Sequence, residues 1–185
     1  MSNQLSPLSD IDNVLNKRRL KCIKKNESAG YIRSSLLMIF VIAAAVFIFL
    51  QYFSFRYIRG NDMFPSLSDG DLTLCTAENE YKKNDVVFYK ANEKQYTGRV
   101  VAKGGDRVDI TENGLLIVNG TSQTGEIVFL TLPPEDWNGE ITVPENSLFI
   151  LGDYRTDAKD SREFGCISVD DVQDKVIALF RHRKF

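Results

Sequence analysis

The chain has 185 residues, of which 43% are apolar and 26% charged, and a net charge of −2. That suits one folded domain plus a short appendage and is too apolar for a disordered chain. The near-neutral charge leaves no basic footprint for nucleic acid, so no nucleic-acid partner is expected. Cys22, Cys75 and Cys166 show no CxxC pairing, and the single histidine, His182, lies in the basic end Arg181-His182-Arg183-Lys184. A structural zinc site is excluded, no metal or cofactor is expected, and His182 reads as a tail residue. Cys75 and Cys166 are either a disulfide outside a membrane or two buried thiols.

Residues 1–33 read as a basic arm, with Lys17, Arg18, Arg19, Lys21, Lys24, Lys25 and Arg33 set against Asp10, Asp12 and Glu27. Ile11, Val14, Leu15, Cys22 and Ile23 leave two readings open, an amphipathic turn on the inner leaflet or a solvated arm. Residues 34–55 carry no charge, and Leu36 to Leu50 is continuously apolar. About 20 apolar residues cross a hydrocarbon core of roughly 30 Å, so this segment predicts a membrane helix. Tyr52, Phe53 and Tyr57 stand where an aromatic belt belongs. The aromatic and basic exit differs from the small-residue exit of a cleaved signal peptide, which predicts a retained anchor. The basic excess before the helix places residues 1–33 in the cytoplasm and the rest outside the cell membrane, as Arg56 and Arg59 are fewer.

Residues 56–185 change texture to short β-branched runs bounded by Gly, Asn and Asp. Asp71–Leu74, Asp85–Tyr89, Gly98–Val101, Leu115–Val118 and Ser147–Leu151 read as strands. Without a long segment of helical period, this part predicts a mainly antiparallel β domain, rolled into sheets or a partial barrel. Asn119-Gly120-Thr121 fits a glycosylation sequon, and more simply a type I′ hairpin turn.

Four segments of this β part form an ordered set. They are Gly60-Asn61-Asp62-Met63-Phe64-Pro65-Ser66-Leu67 with Gly70-Asp71; Lys83-Asn84-Asp85-Val86-Val87-Phe88; Gly98-Arg99-Val100-Val101-Ala102-Lys103-Gly104-Gly105-Asp106; and Gly152-Asp153-Tyr154-Arg155-Thr156-Asp157-Ala158-Lys159-Asp160-Ser161-Arg162-Glu163-Phe164-Gly165. Together, behind an N-terminal anchor, they resemble the boxes of the type I signal peptidases, serine–lysine proteases that trim secretory signal peptides outside the membrane. The resemblance implies the signal peptidase-like antiparallel fold for the domain.

The departures from the family pattern fall at its chemistry. Asp62 stands at the nucleophile position, Gly98 at the general-base lysine, and Ala158 at the serine that orients that lysine. In such a dyad a desolvated, neutral lysine takes the hydroxyl proton as the oxygen attacks the peptide carbonyl. Asp62 has no hydroxyl and Gly98 no acceptor, and losing one such group costs on the order of a millionfold in a comparable triad protease. The expectation is therefore a degenerate signal peptidase and no enzyme; the alternative is an active membrane hydrolase with unorthodox catalytic residues. That alternative has two routes: Asp62 sharing a proton with Asp157 or Asp160, and Ser66 acting with Lys103.

Asp160 and Arg162 suit a charge-assisted pair that holds a loop beside the site. A peptide groove is expected around Asp62, Met63 and Phe64 and along Gly98, Arg99 and Val100, because strand-wise binding needs no nucleophile. Met63 and Phe64 are either exposed near the outer leaflet or core residues. Within the family the chain looks like the signal-peptidase-like proteins of Gram-positive bacteria that carry substitutions at both dyad positions. That resemblance implies an assembly factor at the outer membrane face, with pilin subunits, sortase, peptide segments and the lipid bilayer as partners.

Overall fold

The structure, a computed structural model, describes residues 7–123, 129–135 and 137–181, so His182 lies outside the described residues. The chain divides into two compact units at residue 52, each taken by itself below.

The first unit is one helix, α1, Pro7–Tyr52. Proline suits the first helical position, where its missing N–H would have no partner anyway. The helix runs through the expected boundary at residue 34, so the described part of the arm is helical. Its segment Tyr31–Tyr52, 22 residues, is long and apolar enough to cross a membrane.

The expected span to Phe55 needs correction, because the helix ends at Tyr52 and Phe53–Tyr57 is strand β1. Phe53, Phe55 and Tyr57 alternate with Ser54 and Arg56, a period of two that suits a strand. The reason lies in a distant segment, Leu72–Thr76 (β2), which pairs antiparallel with β1 from Phe53↔Thr76 to Tyr57↔Leu72. The Thr76 hydroxyl also donates to the Tyr52 carbonyl at the helix end, 3.2 Å away.

The second unit continues with β3 (Val86–Ala91), β4 (Lys94–Lys103), β5 (Arg107–Ile110), β6 (Leu116–Val118), β7 (Thr121–Ser122), β8 (Ile141–Thr142), β9 (Ser147–Leu151), α2 (Ser161–Phe164), β10 (Ile167–Ser168) and β11 (Val172–Phe180). Every expected strand is present, within one or two residues at its ends except that β4 begins four residues before Gly98. A seven-stranded sheet runs β1-β2-β11-β3-β4-β9-β10 and a four-stranded sheet β7-β6-β5-β8. All pairs are antiparallel. This is the mainly β architecture that the run of short strands predicts.

Strand β11 went unread in the sequence, and it completes the large sheet by entering between β2 and β3. Arg181, just past its end, makes three bonds to the Asp71 carboxylate and donates to the Ser66 carbonyl at 2.9 Å. Strand β9 buries both faces. Leu148 and Ile150 pack with Val87, Tyr89 and Val100, while Phe149 and Leu151 pack with Val101, Val108 and Val118 of the second sheet's cluster. That explains its unbroken apolar run, since a strand covered on both sides has no polar face to show.

Asn119 and Gly120 both have positive φ, 54° and 77°, and join β6 to β7 as a type I′ hairpin. Cys75 and Cys166 are free thiols, Cys75 buried in the core, and burial raises the pKa of both. On one face of the large sheet the register sets Phe55 against Leu74 and Tyr57 against Leu72, with Phe180 beyond Leu72. Phe55, Tyr57 and Phe180 stay exposed there, the Phe55 and Phe180 rings 6.4 Å apart.

The Asp71–Arg181 clamp makes stability depend on pH. The bond from Arg181 holds the Asp71 carboxyl below its ordinary value of 3.8. A lowered folded pKa means stability that is present above the unfolded value and lost as pH falls through the folded one. Asp71→Asn is expected to lower the thermal midpoint at pH 7 by about 2–4 °C, with the difference disappearing in the same melts run well below pH 3.8.

Candidate functional site

The turn that follows β1 carries Asp62. Its shape is set by local bonds: Gly60 N–H donates to the Asp69 carboxylate at 2.8 Å, Phe64 N–H to the Asn61 carbonyl and Leu67 N–H to the Met63 carbonyl, both at 2.9 Å. The Asp62 carbonyl accepts from Tyr154 N–H at 2.9 Å, which ties the turn to the segment after β9.

Gly152, directly after β9, is where the pieces meet. A Cβ there would lie 2.3 Å from the Ala158 Cβ and 2.6 Å from the Asp62 carbonyl oxygen, so only glycine admits so close an approach. One residue earlier, a Cβ on Gly98 would lie 3.3 Å from the Leu151 carbonyl oxygen, 2.5 Å from Ile150 Cγ2 and 3.3 Å from Tyr89 Cε1. The three departures from the family pattern, Asp62, Gly98 and Ala158, therefore converge on Leu151-Gly152.

A buried carboxylate holds this corner. Asp160, 1% exposed, accepts from Gly152 N–H at 3.1 Å, from Arg162 N–H at 3.1 Å, and from Arg162 Nε and Nη2 at 2.9 Å each. It caps α2, whose Ser161 hydroxyl accepts from Ile150 N–H at 2.9 Å. Arg162 reaches on to the carbonyls of Leu132 and Ala158. Asp160 and Arg162 thus meet as a bidentate pair. Alongside, Arg99 makes a second one with Asp153, at 2.9 and 2.6 Å.

The Asp62 carboxyl is half-buried. Burial raises its pKa, and the charges of Asp160 and Asp157 raise it further. Arg155 is fully buried and donates to the Thr131 hydroxyl at 2.8 Å; burial lowers its pKa to about 10, which leaves it cationic at neutral pH. The sequence reading did not single out Tyr89, Arg155 or Thr131. The only signal for them was a hydroxyl or guanidinium inside an otherwise structural segment.

The expected groove needs redrawing. Met63 is 1% exposed and packs with Ile58, Leu67, Cys75 and Phe88, so it belongs to the core, whereas Phe64 is 45% exposed. Val100 is buried, and its N–H and C=O are taken by Asp85 and Asn84 at 2.8 Å. Arg99 and Val100 therefore offer no free strand edge, since β4 is sandwiched there. The pairing is asymmetric: β3 covers β4 from Lys94 to Arg99, but β9 begins only at Arg99. Among the described residues, Lys94–Gly98 has no strand on its second edge. Ser66 and Lys103 make no contact with each other among the described residues, as Ser66 lies on the turn held by Arg181 and Lys103 at the end of β4.

Fold and span together define a class: an antiparallel β domain that follows one apolar helix in the chain, with a half-buried carboxyl, Asp62, whose backbone meets Gly152 at the end of β9. A family described as signal peptidase, peptidase S26, matches residues 31–180. Signal peptidase I of Bacillus caldolyticus is 27% identical over 158 residues, covering 74% of this chain and 81% of that one. Signal peptidase IB of Staphylococcus aureus strain Mu50 is 30% identical over 145 residues, covering 66% and 75%. A crystal structure of a signal peptidase I from Enterococcus faecalis V583 is 22% identical, covers 54% of this chain and 97% of that one, and has a TM-score of 0.43. The chain belongs to the signal peptidase S26 family.

Membership corrects one expectation. The relatives are named as signal peptidases, an enzyme family, which overturns the reading of this chain as no enzyme. The substitutions at positions 62 and 98 say which groups are present, and nothing further about turnover.

Two substitutions probe this geometry. Gly152→Ala should destabilise the protein by about 1–3 kcal/mol through overpacking, seen as a lower urea midpoint. Asp62→Asn should raise the thermal midpoint at pH 7. A folded pKa raised above 3.8 marks a charge that disfavours the folded state, so the gain should vanish once pH falls below that ordinary value and both states are protonated.

Proposed function

We propose that this chain is a membrane-anchored, peptide-binding member of its family that acts at the outer membrane face, with its N-terminal arm in the cytoplasm. The observation that carries the reading is the edge of β4 at Lys94–Gly98, which no described strand covers, next to the corner where Asp62 meets Gly152. An extended polypeptide laid along that edge would gain backbone hydrogen bonds, as strand addition does elsewhere, and would bring one of its side chains to Asp62. The exposed Phe64 ring, edge-on to Tyr154 at 6.1 Å, offers an apolar wall beside it. Phe55 and Tyr57, exposed on one face with Phe180, follow the span by only a few residues of chain, which suits work close to the bilayer. The basic excess before the span supports the orientation.

The clients in this reading are pilin subunits passed to sortase for polymerisation, so the chain serves as an assembly factor. The support is the resemblance to pilus-associated family members that have lost the same two dyad residues.

The relatives' names favour a second reading, hydrolysis of the bound peptide. Such a reaction would have to run through groups other than a serine hydroxyl at 62 and a lysine at 98. Asp62, whose carboxyl holds its proton unusually well, is the group at hand, although Asp160 is already committed to Arg162.

Photocrosslinking separates the readings. A photoreactive residue replacing Gln95 in the full-length protein, expressed in pilus-forming Gram-positive cells, is expected to capture pilin, and Asp62→Lys should reduce the yield at least several-fold at equal protein level. No capture from Gln95 would remove the β4 edge from the account. Incubating the detergent-solubilised chain with a secretory preprotein gives the other outcome, since cleavage lost in Asp62→Ala would establish hydrolysis.

A further inference from the structure

Three aromatic rings stand in a row beside the Asp62 turn. Tyr154 is the middle one, its ring 6.1 Å from Phe64 and 4.8 Å from Phe129, edge-on to both at 79° and 72°. Ring quadrupoles favour such edge-to-face pairs. Phe64 is 45% exposed, and Tyr154 and Phe129 are each half-buried. A single apolar side chain in solvent is ordinary, whereas adjoining exposed ones mark a contact surface.

The row is fixed at each member. Phe64 N–H donates to the Asn61 carbonyl at 2.9 Å, and Tyr154 N–H to the Asp62 carbonyl at 2.9 Å. The Tyr154 carbonyl accepts from Ala158 N–H at 2.9 Å and from Asp157 N–H at 3.1 Å. Phe129 is held two residues further on, at Thr131, which is 3% exposed and donates its N–H to the Gly114 carbonyl at 3.1 Å. The Thr131 hydroxyl takes the 2.8 Å bond from buried Arg155. Arg155 directly follows Tyr154, so two consecutive residues grip this segment, one by its ring and one by its guanidinium. Arg155 Nε has no hydrogen-bond partner among the described residues, and burying such a group is costly. The bond to Thr131 sets Phe129 against Tyr154 before any ligand arrives, which lowers the ordering cost of binding.

Strand β9 decides what reaches the row. Val100 bonds toward Asn84 and Asp85, and backbone groups alternate in direction along a strand, so those of Gln95, Thr97 and Arg99 point to the other edge of β4. Arg99 meets Leu151 of β9 there. A polypeptide paired with Gln95 and Thr97 therefore lies in line with β9 and stops at its end, where Gly152 and the Asp62 carbonyl fill the space. Its next residues have to leave the sheet past the Asp62 turn and Tyr154, which stands two residues beyond Gly152.

We propose that Phe64, Tyr154 and Phe129 form a subsite for one bulky apolar side chain of the bound polypeptide, carried by the residues that leave the β4 edge at Gly98. This inference rests on the reading of that edge as the peptide-binding strand and adds the class of side chain selected. An aliphatic or aromatic side chain buries its surface against the rings. An acidic one would lose water there without a partner and would also face Asp62.

The test uses the full-length protein in pilus-forming Gram-positive cells, with a photoreactive residue replacing Gln95 or, separately, Phe64. Mapping the two adducts is expected to place both on one segment of one partner, about four to seven residues apart, with a bulky apolar side chain at or next to the Phe64 adduct. Phe64→Asn should lower capture from Gln95 about fivefold or more, and Phe64→Leu, which keeps an apolar surface, should retain most of it. The photoreactive residue at position 64 keeps the test decisive even if Phe64→Asn fails to fold. Capture from Gln95 with none from position 64, a lipid adduct at position 64, or a stretch of polar residues beneath it overturns the subsite and leaves the β4 edge standing. Undiminished capture in folded Phe64→Asn does the same. Capture from neither position removes the proposed function and the subsite together.

Discussion

The cleft depends on one buried carboxylate. Asp160 accepts four bonds, three from Arg162 and one from Gly152 N–H, and thereby holds residues 152–162 against the end of β9. An isolated charge would be costly in so dry a place, and removing one partner of a buried pair costs about 3–5 kcal/mol. Here the pair is bidentate and its remaining acceptor capacity is filled by backbone donors, which is the condition under which a buried charge is tolerated. Release of Gly152 from Asp160 would free the segment that presents both Tyr154 and Ala158 to Asp62.

Close backbone approach is the second constraint. The Asp62 turn, Gly152 and Ala158 meet at distances that leave no room for a methyl group. Small residues at this corner are therefore a packing requirement whatever chemistry the site performs. The same crowding bears on Gly98, whose vacant side is filled by Ile150 and Tyr89. Position 98 is a repacked surface rather than a hole.

Retention of the scaffold and change of the reacting groups are separate facts. The scaffold elements, Asp160 with Arg162 and Arg99 with Asp153, are complete and tightly bonded. Two of the changed positions, Asp62 and Ala158, both crowd Gly152, and the third, Gly98, lies against the carbonyl of the preceding Leu151. The S26 family supplies the ancestry of this cleft. The carboxyl at 62 gives it a polarity of its own.

The sequence by itself determined the apolar span, five of the eleven described strands and the family boxes, because hydrophobic period, turn residues such as Asn119-Gly120 and motif spacing are local properties of the chain. It also named Asp62 and the Asp160–Arg162 pair, though not Arg155 or Thr131. Only tertiary structure decided where the span ends, since Phe53–Tyr57 becomes strand through backbone bonds to β2. It likewise decided that β11 enters the sheet between β2 and β3, that Met63 is core while Phe64 is exposed, and that the open edge is Lys94–Gly98 rather than Gly98–Val100. Each of these depends on which distant segment covers a given edge or side chain, and burial by a remote partner leaves no mark on the local pattern of residues.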